Sequence, residues 1–320
     1  MPLILVQNEI TAGNKYDHWQ DDEGVQYHFP NQYIGKVKEG EVFIYYRGSR
    51  RADNKRGIPE YFGCGKIGKV WLDPLTEIKK PRYSWHWYCE IIDYIPFKYT
   101  VPFRIGDIYL ENIPKNLWSV AVRNISLEVY KAILKQASIE VVDEDIIIKP
   151  NSPILPKIDE VNPAMVTAQN PLMYLPQSKK ESNGRSSGGD SYSRYSKYSK
   201  LFGDRAEEIV YQLLTKEKTD KLRWVAKEKE KPGWDIEYHD GRNLIAIEVK
   251  GTSGKRFLSI DVTAGEWNAA QKIGLNYRLY LVADCLSKKP QIQVINNPYS
   301  LFLKKKLSLS PIAYRLQLSK

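Results

Sequence analysis

Residues 150–200 break every regular pattern in the chain, and that break constrains its folding most. Pro150, Pro153, Pro156, Pro163, Pro171 and Pro176 come first. A Ser-, Gly- and Lys-rich piece from Ser178 to Lys200 follows, with eight Ser and six Lys or Arg against two acids. Proline withholds an amide donor from helices and central strands, and the polar piece has nothing to bury. The stretch 151–200 therefore reads as a flexible, positively charged linker, either a solvated spacer or a segment that touches an anionic partner. A chain of 320 residues divided there gives two domains, 1–150 and 201–320, each long enough for its own core.

Ahead of the linker, aromatic and apolar runs at 42–46, 61–64, 66–72, 85–94 and 105–110 alternate with Gly, Pro and Asn. These predict the strands of a small curved or closed antiparallel sheet. One helix is predicted at 126–136, with Ser126 as cap and Leu127, Tyr130, Ile133 and Leu134 on one side. Beyond the linker the predicted order is helix 204–215, strands 222–226, 234–238, 244–250 and 257–262, helix 264–274, and strands 277–283 and 292–295. The expected fold class is α+β in two domains, with an N-terminal curved β-barrel and a C-terminal α/β domain.

A net charge of +10 and a pI of 9.2 point to a polyanionic partner, with nucleic acid foremost. Cys64, Cys89 and Cys285 are odd in number and far apart, which favours neither a disulfide framework nor zinc and suggests a reducing cytoplasm. His18, His28, His86 and His239 add no metal-ligand spacing. The first ten residues are too short and polar for a signal peptide, and no apolar run approaches the ~18 residues that span a bilayer. The expectation is a cytoplasmic protein without a membrane partner.

The chemistry concentrates after residue 200. Leu244 to Gly251 reads as a buried strand whose period of two puts Glu248 and Lys250 on one face at its end. Asp235 lies thirteen positions before Glu248, and His239-Asp240-Gly241 supplies the turn that sets the two segments side by side. Two carboxylates and an ammonium thus converge. Phosphodiester hydrolysis asks for such groups: Asp235 and Glu248 as ligands of Mg²⁺, with Mn²⁺ as a substitute, and Lys250 to orient or deprotonate water and stabilise charge on phosphorus. Upstream, Gly203-Asp204-Arg205-Ala206-Glu207-Glu208 opens a helix on which Glu207 borders the apolar stripe and Glu208 points away. Glu207 is the expected fourth acid; its alternative is a solvated first-turn carboxylate. Thr263-Ala264-Gly265-Glu266 reads as a capping box, which gives Glu266 to the helix start rather than to the metal. Thr252, Ser253 and Lys255 follow the strand in a glycine-flanked loop suited to DNA-backbone contacts.

A helix with Gly-x-x-x-Glu, then Pro-Gly-Trp-Asp-Ile (232–236), then Ile-Glu-Val-Lys-Gly-Thr (247–252) resembles the P-D…(D/E)-x-K nuclease superfamily. Within it, residues 200–300 look like the Mrr-like and NOV-type C-terminal domains of restriction proteins. Gly233 and Trp234 separate Pro232 from Asp235, a departure from the contiguous pair. The resemblance implies a metal-dependent endodeoxyribonuclease.

The N-terminal half is rich in aromatics interleaved with Arg47, Arg50, Arg51, Lys55 and Arg56, the last four being expected contacts of the DNA backbone. Tyr27-His28-Phe29-Pro30, Phe43-Ile44-Tyr45-Tyr46-Arg47 and residues 61–68 are similar to PUA-like domains, particularly EVE-like readers of modified bases. That similarity implies a PUA-like barrel that extrudes a nucleotide. It implies a pocket of Tyr27, His28, Phe29, Tyr46, Arg47 and Trp87, led by Tyr46 and Trp87. For any single aromatic, the core is the competing assignment.

Together these readings describe a modification-dependent restriction endonuclease acting on double-stranded DNA, with a homodimer implied where both strands are cut. The sequence leaves open the modification read, RNA as a substrate, an unmodified target, and a non-catalytic binding protein on a nuclease scaffold.

Overall fold

A computed structural model describes residues 1–7, 21–51, 56–142, 145–147, 155–166, 172–173, 198–217, 219–228 and 230–310. The chain is α+β and divides into two compact units, Met1–Leu155 and Pro156–Lys320.

In the first unit the strands are Leu3–Val6 (β1), Gln26–Pro30 (β2), Val42–Arg47 (β3), Glu60–Leu72 (β4), His86–Pro102 (β5), Arg104–Ile105 (β6), Ile108–Tyr109 (β7) and Val122–Asn124 (β8). Helix Leu127–Gln136 (α1) follows, then Glu140–Val142 (β9) and Asp145–Ile147 (β10). Six strands form one sheet in the order β2-β5-β4-β3-β1-β8. The sheet is mixed rather than antiparallel, because β1 pairs parallel with β3. Leu3-Ile4-Leu5-Val6 is apolar on both faces, as strands covered on both sides are.

The segments 61–64 and 66–72, predicted as separate strands, form the single strand β4, whose register against β5 shifts three times. Such bulges bend and twist a strand, and this sheet curls. Tyr27 on edge strand β2 donates from its hydroxyl to Val6 O (3.1 Å) and Ala121 O (3.0 Å), at the opposite edge. The two edges thus meet through a side chain. Inside lie Leu3, Leu5, Tyr27, Phe29, Phe43 and Tyr45, all buried. Helix α1 starts where predicted: Ser126 Oγ accepts from Val129 N at 3.3 Å.

The second unit comprises Ala164–Met165 (β11), Ser199–Lys216 (α2), Asp220–Arg223 (β12), Ile236–Asp240 (β13), Asn243–Gly251 (β14), Ala264–Ile273 (α3), Tyr277–Ala283 (β15), Gln291–Asn296 (β16) and Pro298–Leu303 (α4). The sheet order is β11-β16-β15-β14-β13-β12, with β14–β15 and β11–β16 parallel.

Two expectations need correcting. Part of the expected linker belongs to this unit: β11 adds to the sheet edge, Leu172 N donates to Gln293 Oε1 (2.8 Å), and Arg205 donates to Pro156 O (2.6 Å). Prolines mislead here because an edge strand tolerates them, and Pro163 directly precedes β11. Residues 174–197, which hold most of the Ser- and Lys-rich piece, lie outside the described residues. The predicted strand 257–262 is instead part of the crossover that a parallel β14–β15 pair requires, with a single bridge between Phe257 and Met173.

Gly251 sets how closely α2 approaches the sheet. A Cβ there would lie 2.3 Å from Phe202 O and 2.6 Å from the Cβ of Ala206. Only a bare Cα lets the helix sit so near β14. Gly251→Ala is expected to lower stability by about 1–3 kcal/mol, the usual range for overpacking, read as a lower Tm with α2 displaced.

Candidate functional site

A tight hairpin builds the site. Asp240 pairs with Asn243 across the turn Gly241-Arg242, and Gly241 has φ +59°, which its missing side chain permits. The register pairs Ile236 with Ile247. Asp235, one step before β13, therefore comes beside Glu248. Its N–H donates to Ile247 O (2.9 Å) and its Oδ2 accepts from Val249 N (2.8 Å). The approach to Asp235 is fixed by Tyr277, whose hydroxyl donates to Gly233 O at 2.9 Å. On β14, Lys250 Nζ lies 2.7 Å from Glu248 Oε1. Asp235, Glu248 and Lys250 are thereby brought together at one end of β14.

The electrostatics of the cluster are unbalanced. Burial, reinforced by Asp235, pushes the Glu248 carboxyl up to about 9. Asp235 is also raised by burial, against the opposing effects of the Val249 N–H and the Lys250 charge. Burial works against the Lys250 ammonium, yet Glu248 and Glu266 outweigh it and hold Lys250 above its ordinary range. The sense for the pair is clear: the ammonium stays charged, and an acid facing it retains a proton more readily than an exposed carboxyl.

A pH dependence follows. With Glu248 raised to about 9, the folded protein holds a proton that the unfolded chain has already lost above the ordinary carboxyl range, so stability falls as pH rises toward 9. Melting curves in EDTA from pH 5 to 9 should decline more steeply for the parent than for Glu248→Gln, by up to about 1.4 kcal/mol per pH unit. Parallel curves would show that Glu248 ionises normally.

Glu207 sits apart from the Glu248–Lys250 pair. Its Oε2 accepts from Trp224 Nε1 (2.8 Å), and burial followed by the nearby Asp235 charge raises it to about 7. It borders the site on the Asp235 side. Trp224 stacks on Tyr211 at 5.1 Å and helps line an adjoining cleft of about 410 Å³. Glu208 turns away to Arg205 at 2.6 Å.

Glu266 is the residue that sequence reasoning missed. The capping box exists, with Thr263 Oγ1 accepting from Glu266 N (3.2 Å) and Glu266 Oε2 from Thr263 N (3.0 Å). The same oxygen also accepts from Lys250 Nζ at 2.8 Å. The cap explained the residue locally, and nothing in the sequence spacing brings α3 to the end of β14.

Several expected contact residues are placed otherwise. Ser253 is buried, and Thr252, half-buried, accepts at Oγ1 from Gly254 N within its own loop. Lys255 pairs with Asp284 at 3.0 Å. Arg51 spans its loop, bonding Gly48 O, Ile58 O and Glu60, which makes it structural. Arg50 and Arg56 face each other across a bridge and are exposed. Lys55 lies outside the described residues.

The expected base pocket is not assembled. Tyr27 and Phe29 belong to the core, since alternation on β2 turns them inward. His28 points to the opposite face, fully buried, stacked on Tyr88 at 4.4 Å and 3.4 Å from Asp73. Tyr46 is covered by Tyr61, Trp118 and the Arg123 guanidinium, 5.5, 5.6 and 5.0 Å from its ring. Arg47 bonds Glu60 at 2.8 Å, and Trp87 donates to Asn31 Oδ1 at 2.9 Å. Alternation on β2 and β3 turns these side chains to different faces, although the resemblance implied one pocket for them. The more open aromatic set is Phe103, Tyr109 and Trp118, with Trp118 5.2 Å from Phe103.

Among the described residues, no group of three or more His, Cys, Asp or Glu side chains is arranged to hold a metal ion, and no helix is long and apolar enough to cross a membrane.

Residues 206–295, which contain Glu207, Asp235, Glu248, Lys250 and Glu266, match the family described as Protein NO VEIN, C-terminal. Comparison with curated proteins finds no match. Among solved structures, the N-terminal domain of Staphylothermus marinus McrB aligns at 14% identity and a TM-score of 0.29, covering 42% of this chain and 93% of that one.

Proposed function

We propose that this protein is a Mg²⁺-dependent DNA endonuclease that cuts at the Asp235–Glu248–Lys250 site, with its first unit reading a modified base in the target. One observation carries the nuclease reading: two substantially buried carboxylates and an ammonium meet at the end of β14. Buried charges are costly to keep without a task.

The donor set fits a hard divalent ion. Burial raises both Asp235 and Glu248, and the Asp235 charge raises Glu248 further, a cost that a bound cation would relieve; Mg²⁺ needs only one or two carboxylates because it retains waters. Mn²⁺ suits the same oxygens. Asp235 and Glu248 would hold such an ion, which would supply charge neutralisation at a scissile phosphate and a lowered pKa for an attacking water. Lys250 supplies a fixed positive charge toward the phosphate oxygens, held in place by carboxylates rather than by solvent. Glu207, raised to about 7, is poised to exchange a proton with water near Asp235.

For the first unit, support comes from the partly exposed Phe103–Tyr109–Trp118 aromatics, which suit base stacking. A double-strand break by one such site per chain implies a homodimer or two visits.

The test is digestion of matched duplexes that are unmodified or carry 5-methylcytosine, 5-hydroxymethylcytosine or N6-methyladenine, in Mg²⁺, Mn²⁺ or EDTA. Metal-dependent cutting of one modified duplex is expected. Equal cutting of all leaves a nuclease for an unmodified target, and no cutting of DNA or RNA leaves a binding protein on a nuclease scaffold.

A further inference from the structure

Lys250 is gripped from two sides, by Glu248 Oε1 at 2.7 Å on its own strand and by Glu266 Oε2 at 2.8 Å from the first turn of α3. The two acceptors are not equivalent. Glu248 is shared with Asp235, whereas Glu266 Oε2 is tied to the backbone N–H of Thr263 at 3.0 Å. Helix α3 is itself seated on the sheet through Ala269 and Ala270, which pack with Ala246 and Tyr277.

We propose that Glu266 is a positioning residue whose role is to keep Lys250 in the site when Glu248 turns to a divalent cation. This rests on the metal-dependent reading above. A carboxylate oxygen that binds a divalent ion gives up much of its attraction for an ammonium, and the ion repels that ammonium directly. Lysine is a point charge on a flexible four-carbon stem, so a single lost partner frees it. Glu266 stands on a separate element and keeps its oxygen aimed by the cap, so its hold on Lys250 does not depend on Glu248. One side chain thereby couples the start of α3 to the reacting end of β14.

Two variants separate this role from helix capping. Glu266→Gln keeps a side chain that serves at this capping position but removes the charge, whereas Thr263→Ala weakens the cap and leaves the carboxylate. The readout is the rate at which Lys250 is acylated by an amine-reactive reagent, followed by peptide mass spectrometry on the full chain in EDTA and in Ca²⁺. The parent and Thr263→Ala should protect Lys250 in both conditions, with Thr263→Ala melting lower. Glu266→Gln should protect it in EDTA, through Glu248, but label about tenfold faster in Ca²⁺.

If Ca²⁺ changes labelling equally in the parent and in Glu266→Gln, Glu266 is only a cap and the proposal falls. The melting temperature of the parent distinguishes the two levels of failure. A Ca²⁺-induced rise with equal labelling removes the role of Glu266 alone, and no rise removes the metal site beneath it.

Discussion

Asp235→Asn, Glu248→Ala and Lys250→Ala are each expected to reduce single-turnover DNA cleavage by about 10³-fold or more, with DNA binding changed only slightly, the largest effect expected of any substitution. In the proposed nuclease these groups act on charge that develops in the transition state, so their loss falls on rate rather than on affinity. Asparagine is the informative replacement at 235. It keeps an oxygen for the Val249 N–H (2.8 Å in the parent) and preserves the hairpin end, whereas alanine would leave that donor unpaired. Glu207→Ala should cost less, about tenfold, and Glu208→Ala nothing measurable, because Glu208 only pairs with Arg205. Retained metal-dependent nicking by Asp235→Asn would remove the assignment.

Arg123→Ala is expected to lower the stability of the first unit by about 3–5 kcal/mol, the cost of orphaning one half of a buried ion pair. Arg123 and Glu111 are both buried and joined by two bonds, Nη2 to Oε1 at 2.8 Å and Nε to Oε2 at 3.0 Å. Tyr61 adds a hydroxyl donor to Glu111 at 2.7 Å, and the guanidinium lies 5.0 Å from the Tyr46 ring and 5.5 Å from that of Trp118. Removing the cation leaves Glu111 facing apolar rings and a phenol. Arg123→Lys should recover little, because an ammonium cannot make the paired bonds. Chemical denaturation of each variant measures the loss, and a change below about 1 kcal/mol would show that water reaches the pair.

The second unit was the more legible half. Strand 277–283 and helix 264–274 differ from the structure by at most a residue, because β15 is apolar apart from Arg278 and α3 carries its cap in the sequence. The convergence of Asp235, Glu248 and Lys250 followed from alternation plus one glycine turn, both local rules. Glu266 was hidden because its second contact crosses from α3 to β14, and tertiary proximity has no signature in spacing. The first unit was harder. The aromatic runs located β3, β4 and part of β5, but the short strands β1, β2 and β8 were not predicted; Tyr27 and Phe29 look alike whether they line a pocket or fill a core, and only the curl of the sheet decides. Trp118 and Arg123 drew no notice, although they close over Tyr46.

The β13–β14 hairpin has a kinetic meaning. It brings Asp235, Glu248 and Lys250 together within a short stretch of chain, and hairpins close on the microsecond scale. Glu266 arrives only after the crossover through α3 has been laid down and β15 has paired parallel with β14, a non-local event with a larger entropic barrier. Asp235, Glu248 and Lys250 are therefore neighbours through a local pairing, while the second anchor of Lys250 waits on a less local one. Assembly of the complete site is limited by the docking of α3, not by the strands that carry its acids.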